Sequence, residues 1–168
     1  MTASTLYSTL ARDQKSMVLV RRLPADQEQV WAAWTRIDLL ELWFGPAVRG
    51  EPGDGNRFVL EGRGQHGDTI TCEVLSWEPP RHMELAWTYT GEPETRVTLD
   101  LAATEDGCTE LTLRHDGMVP PVVPVEYAAG WHMYTDSLEA HLTGAPPLVE
   151  SDARFSELMP DYLRTIQD

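Results

Sequence analysis

VEYAAGWHMYTDSLEAHL, residues Val125–Leu142, is the longest helical pattern in the chain. Trp131, Thr135, Leu138 and Leu142 fall on one stripe at helical spacing, with Tyr134 beside it. Gly144 and Pro146-Pro147 end the pattern, because glycine closes a helix and proline cannot continue one. A helix with one apolar stripe needs an apolar surface to cover it. The residues before it read as the strands of that surface.

Working back from the helix, Glu110–His115 places Leu111, Leu113 and His115 on one face, after a turn at Asp106-Gly107. In Thr95–Ala102, Val97, Leu99 and Leu101 alternate with polar residues. In His82–Thr90, Met83, Leu85, Trp87 and Tyr89 alternate with His82, Glu84, Ala86 and Thr88. Thr69–Trp77 is a further strand, ended by Glu78-Pro79-Pro80, and Arg57–Glu61 another, with Gly62–Asp68 as a glycine-rich hairpin loop between them. Strict alternation gives each strand one buried and one wet face, the signature of an antiparallel sheet.

Nearer the N-terminus, residues 5–10 and 16–23 predict a small hairpin around Ala11-Arg12-Asp13-Gln14. Asp26 and Gln29 have capping-box spacing, and Thr35 with Asp38 gives a second start signal. Two short helices in tandem follow, stopped at Gly45-Pro46. Beyond the long helix, Ser151–Gln167 is amphipathic through Phe155, Leu158, Tyr162 and Ile166, with Pro160 expected to split it into two turns.

This order predicts an α+β fold. A curved antiparallel sheet of six or seven strands wraps around the long C-terminal helix, with two short helices after the first strand. The short helices are too small to cover such a sheet, so the long helix lies across its concave side. The length of 168 residues suits one domain over 1–168, with a core at 16–144 and an extension at 145–168.

Composition narrows the partners. The chain has 27 Asp+Glu against 13 Lys+Arg, a formal charge of −14, which repels phosphate backbones and anionic lipid surfaces. Nucleic acid is therefore excluded as an expected partner, and no basic patch with interleaved aromatics contradicts this. No apolar run approaches the ~18 residues of a membrane span, and MTASTLYSTLARDQKS lacks a signal-type apolar core, so a cytoplasmic protein without membrane insertion is expected. Cys72 and Cys108 form no C-x-x-C pair and are expected as free thiols.

Several ordered motifs resemble a known family. They are LPADQEQVW, TRIDLLELWFGP, PGDGNRF, EVLSWEPPR, TRVTLDL, CTELTLRHDG and AAGWHMYTDSLEAHL, spanning roughly residues 16–144. The chain resembles the START-like superfamily. More narrowly, it is similar to bacterial relatives of the C-terminal domain of the activator of the ninety-kilodalton heat-shock-protein ATPase. The resemblance implies a helix-grip fold with a cavity between sheet and helix, where relatives hold apolar or amphipathic molecules. Some relatives are polyketide cyclases and others chaperone activators. The family's long helix carries aliphatic residues where this one has Thr135 and His141, which implies a less uniformly apolar cavity.

Each candidate ligand-binding residue has a structural alternative. Trp43 and Phe44 are either a pocket lip or packing at the Gly45-Pro46 corner. Leu85, Trp87, Tyr89, Trp131 and Tyr134 either line a cavity or fill a core, with Leu99, Leu113 and Leu138 completing the set. His115 points inward, to fix a ligand's polar group or to bond its neighbours. The Thr135 hydroxyl serves either a ligand or the helix's own carbonyls. His66, His82, His132 and His141 have no metal spacing, Gly53 and Gly55 do not open a helix, and no G-x-S-x-G elbow occurs. No catalytic residue, metal or cofactor is therefore named. The leading expectation is a small apolar or amphipathic ligand in a cavity of roughly 300–1,000 Å³. A chaperone-type interaction protein and a cyclase-like or hydrolase-like enzyme are the alternatives, and a homodimer is left open.

Overall fold

In the computed structural model, which describes residues 5–62, 66–146 and 151–166, the strands form one eight-stranded antiparallel sheet. In chain order they are β1 (Ser8–Leu10), β2 (Met17–Leu23), β3 (Ala47–Gly50), β4 (Arg57–Glu61), β5 (Thr69–Glu78), β6 (His82–Tyr89), β7 (Thr95–Ala103) and β8 (Thr109–Asp116). The helices are α1 (Gln27–Thr35), α2 (Ile37–Trp43), α3 (Pro124–Leu142) and α4 (Ser151–Thr165). The spatial order is β1-β2-β8-β7-β6-β5-β4-β3, so the first hairpin pairs with the last strand, from Met17 opposite His115 to Leu23 opposite Thr109. Register shifts between Val74 and Ser76, and between Ala47 and Arg49, are irregularities of the kind that bend a sheet.

The strand alternation survives as burial. Val97, Leu99 and Leu101 of β7 and Leu111, Leu113 and His115 of β8 are all buried on the concave face. α3 lies against that face and is buried on two sides. Trp131 and Leu138 join the main core, while Ala128, Ala129 and Met133 pack against Leu158 and Tyr162 of α4. This is the helix-grip arrangement.

Four expectations need correction. The strands number eight rather than six or seven, because β3 is only four residues long, mostly exposed, and carries no alternation to read. The two short helices follow β2, the second strand of the hairpin, not the first strand. Thr35 does not cap α2: its hydroxyl donates to the Trp31 carbonyl 2.7 Å away within α1, and Arg36 takes the cap position. By contrast, the Asp26–Gln29 capping box is fully formed. Lastly, α4 runs through Pro160. Proline removes one backbone bond there, but Leu158 and Tyr162 on either side are buried against α3 and hold the turn in place. Residues 63–65 of the predicted hairpin loop, Pro147 and Gln167 lie outside the described residues.

One polar residue sits on the inward face of β2, where Met17, Leu19, Arg21 and Leu23 are all buried. Arg21 reaches Asp136 of α3 at 2.6 Å and Glu139 at 3.1 Å, donates to the Thr135 hydroxyl at 3.1 Å, and stacks 4.2 Å from the centroid of the Tyr7 ring. Asp136 also holds Arg154 of α4 at 2.9 Å. Beside it, the Tyr162 hydroxyl accepts the Ser8 N–H at 3.1 Å and meets His132 Nδ1 at 2.7 Å. The other ring nitrogen of His132, Nε2, stands 3.8 Å from Asp136. This network joins β1, β2, α3 and α4.

Both buried histidines are held neutral. Burial lowers His115 to about 3 and His132 to about 4. Their unfolded values are ordinary, so the unfolded chain takes up these protons first as pH falls. Stability is then complete above about pH 6.5 and is lost as pH drops from there toward the folded values. We expect about 1–2 kcal/mol lost per ring between about pH 6.5 and 5, a window in which most carboxylates are still silent. Urea unfolding across that window checks this, and a flat stability profile counts against it.

The cysteines are both free thiols, Cys72 buried on β5 and Cys108 partly exposed. Burial pushes the Cys72 thiol well up, which keeps it protonated and unreactive. No helix among the described residues is long and apolar enough to cross a membrane.

Candidate ligand cavity

Between the ends of β5 and β6 and the N-terminal half of α3 lies a cavity of about 650 Å³. The sheet contributes Ile70, Trp87 and Tyr89, α3 contributes Tyr127, Trp131 and Tyr134, and α4 closes one side with Phe155. The geometry follows from register. Ile70 is paired with Tyr89 across β5 and β6, and alternation puts Trp87 on the same face two residues back. Tyr127, Trp131 and Tyr134 lie one helical turn apart along α3. Gly130 and Met133 fill the helix wall between them.

Polar groups are few and tied together. The Trp87 indole N–H donates to the Tyr127 hydroxyl at 3.3 Å, and that hydroxyl donates to Glu92 at 2.7 Å. Burial first, and then the bond to Glu92, push the Tyr127 phenol well up, so it stays a protonated donor. Tyr89 makes a second phenol–carboxylate pair with Asp68 at 3.0 Å. Glu126 and Asp152 complete the polar lining with Thr90. Among the described residues no group of three or more His, Cys, Asp or Glu is placed to hold a metal ion.

Four of the expected ligand-binding residues meet here: Trp87, Tyr89, Trp131 and Tyr134. The others lie behind the wall. Trp43 is 2% exposed, donates its indole N–H to the Ala33 carbonyl at 2.9 Å, and packs edge-on against Trp34. Phe44 stacks on Tyr134 with centroids 4.1 Å apart, and so backs the cavity instead of lining it. Leu85, Leu99, Leu113 and Leu138 are buried in the main core, deeper under the sheet than the cavity reaches. Thr135 is fully buried, its hydroxyl donating back to the Trp131 and His132 carbonyl region and accepting from Arg21.

His115 also stands behind the wall, with both nitrogens occupied. Trp131 donates its indole N–H to Nδ1 at 3.1 Å, which leaves the ring proton on Nε2 to reach the Thr95 hydroxyl at 2.6 Å. Thr95 in turn donates to the Trp87 carbonyl at 3.2 Å. The relay fixes both indoles of the cavity, Trp131 through its N–H and Trp87 through its backbone.

Sequence reading missed Tyr127, Met133, Phe155 and the four carboxylates. Tyr127 carried a usable signal, since it stands one turn before Trp131 on the same stripe. Glu92, Glu126 and Asp152 carried none, because each looks like an ordinary surface acid until three elements are brought together.

Gly62 lies against the Tyr89 ring. A Cβ there would lie 2.8 Å from both Cε2 and the hydroxyl of Tyr89. Tyr89 therefore rests on a position that only glycine leaves open. Gly62→Ala is expected to displace the Tyr89 ring and loosen its bond to Asp68, changing the affinity of cavity probes several-fold while the fold is retained. Titration of tryptophan emission with an aromatic probe reads this, and unchanged binding would rule it out.

A curved antiparallel sheet that grips a long helix and leaves a cavity between them defines a START-like domain. Residues 24–143 match the family described as activator of Hsp90 ATPase homolog 1-like protein, and the chain belongs to that family. Among solved structures it is similar to CalU16 from Micromonospora echinospora, with 25% identity, a TM-score of 0.71, and coverage of 91% of this chain and 88% of that one. DynU16, a protein in the dynemicin biosynthetic locus, shares 26% identity at a TM-score of 0.68. The match covers 79% of this chain but 49% of DynU16, about half its length. The Aha1 dimer from Colwellia psychrerythraea, at 17% identity, 76% and 95% coverage and a TM-score of 0.65, shares the fold. No curated protein matches the chain. α4 lies beyond the matched span and carries Asp152 and Phe155 of the cavity lining.

Proposed function

We propose that the protein binds a small apolar or amphipathic molecule in the cavity between β5, β6 and α3. The observation that carries this is the cavity itself: about 650 Å³, walled by two indoles, three phenols and Phe155. That volume falls in the range typical of small-molecule sites. In this reading the whole chain works as one domain, with 145–168 as an extension that completes the wall.

The family's description favours a second reading, an interaction protein of the chaperone-activator kind acting through its surface. Native mass spectrometry of freshly purified protein separates the two. An adduct of small-molecule mass, lost on denaturation, supports the cavity reading. No adduct, together with no response of tryptophan emission to any apolar probe, overturns it. Co-purification with a chaperone then supports the second.

A further inference from the structure

The charge of the cavity mouth narrows the ligand class, on the reading that the cavity binds a ligand at all. Glu92 follows β6, Glu126 stands in the first turn of α3 and Asp152 in the first turn of α4. Three separate elements thus bring carboxyl groups to the lining of one aromatic cavity. Lys, Arg and His are absent from its described lining residues. Asp68, the fourth carboxyl group of the lining, accepts from the Tyr89 hydroxyl.

Two helix starts near a cavity would ordinarily favour an anion, since each carries roughly half a positive charge. Here each first turn brings its own full carboxylate, so the sign is reversed. Tyr127 donates one hydrogen bond to Glu92 without neutralising it, and a carboxylate has lone pairs left for a second donor. The indole faces of Trp87 and Trp131 add in the same direction, because the centre of an aromatic face attracts cations. Glu126 and Asp152 are exposed at the mouth and Glu92 is half-buried, so a neutral ligand gains nothing from their charge and an anionic one is repelled.

We infer that the ligand carries a cationic nitrogen, a protonated amine, on an aromatic or polycyclic body. The body packs against Trp87, Trp131 and Tyr134, and the ammonium group lies among Glu92, Glu126 and Asp152.

The test is a titration of tryptophan emission with three probes of one shape: 9-(aminomethyl)anthracene, 9-anthracenemethanol and 9-anthracenecarboxylic acid, at neutral pH and at low and high salt. The amine should bind about tenfold tighter than the alcohol, and the acid should bind weakest. The double variant Glu126→Gln/Asp152→Asn should remove most of the amine's advantage over the alcohol. Glu92→Gln alone should remove part of the advantage. Because a strongly acidic protein attracts any cation, Glu105→Gln/Glu110→Gln serves as the control. It makes the same charge change at the far end of the β7–β8 hairpin, on exposed residues, and should keep the amine's advantage. Equal affinity for the three probes, a preference for the acid, or equal loss in the distal variant would overturn the inference and leave the binding cavity standing. If none of the probes binds and native mass spectra show no adduct, the cavity reading fails and this inference fails with it.

Discussion

Replacing Trp131 by alanine is expected to destabilise the protein by about 3–5 kcal/mol, the range for truncating a large buried aromatic. Trp131 is 2% exposed and packs against Trp34, Phe44, Trp87 and Tyr134, so one edge faces the cavity while the rest is core. The change also removes the donor to His115 Nδ1, leaving a buried acceptor unpaired. Trp131→Phe, which keeps most of the packing but not the donor, should fall between alanine and the native residue. Urea unfolding of the three proteins provides the comparison. A loss below about 1 kcal/mol for alanine would show that the indole mainly borders open space, since little packing would then have gone.

Asp136→Asn should cost a similar amount, about 3–5 kcal/mol, for an electrostatic reason. Asp136 neutralises Arg21, whose side chain is 3% exposed, and also holds Arg154. Without it the Arg21 guanidinium keeps Glu139 as its carboxylate partner, which is 42% exposed and correspondingly screened, beside the neutral Thr135 and Tyr7. The second half of the prediction is a rescue. Arg21→Met in the Asp136→Asn background removes the orphaned charge and should recover much of the loss, as apolar replacement of buried ion pairs often does. Thermal melts of both variants decide it. A single-variant loss near that of exposed pairs, under about 1 kcal/mol, would mean that Glu139 compensates alone. An absent rescue would mean that Arg21 matters for its packing on Tyr7 rather than for its charge.

The two residues differ in how far they could be read from the chain. Trp131 was legible because helical periodicity placed it on the stripe that meets the sheet. Arg21 had a readable position, since the alternation Met17, Leu19, Arg21, Leu23 turns it inward. Its partners did not, because Asp136 is over a hundred residues away in the chain and becomes a neighbour only when β2 pairs with β8 under α3. β3 escaped notice for a related reason: a short exposed edge strand is defined by the neighbour it bonds to, not by its own residues.

Within the cavity the same division holds. Trp87, Tyr89, Trp131 and Tyr134 came from local periodicity, which says which face a side chain takes. It does not say whether that face is filled. Trp43, Phe44, Leu85, Leu99, Leu113 and Leu138 share inward faces with the lining residues, yet neighbours close over them.

Local rules therefore determined the elements, their order, the inward faces and the gripped helix, because 2-residue and 3.6-residue periodicities are properties of contiguous chain. The ordered motifs pointed to the family. Only the tertiary structure decided where the cavity lies, that α4 closes its side, and that Glu92, Glu126 and Asp152 all line it. A void is the difference between the curvature of a sheet and the volume of the side chains packed on it. Both sum over residues far apart in sequence, and no local pattern records that sum.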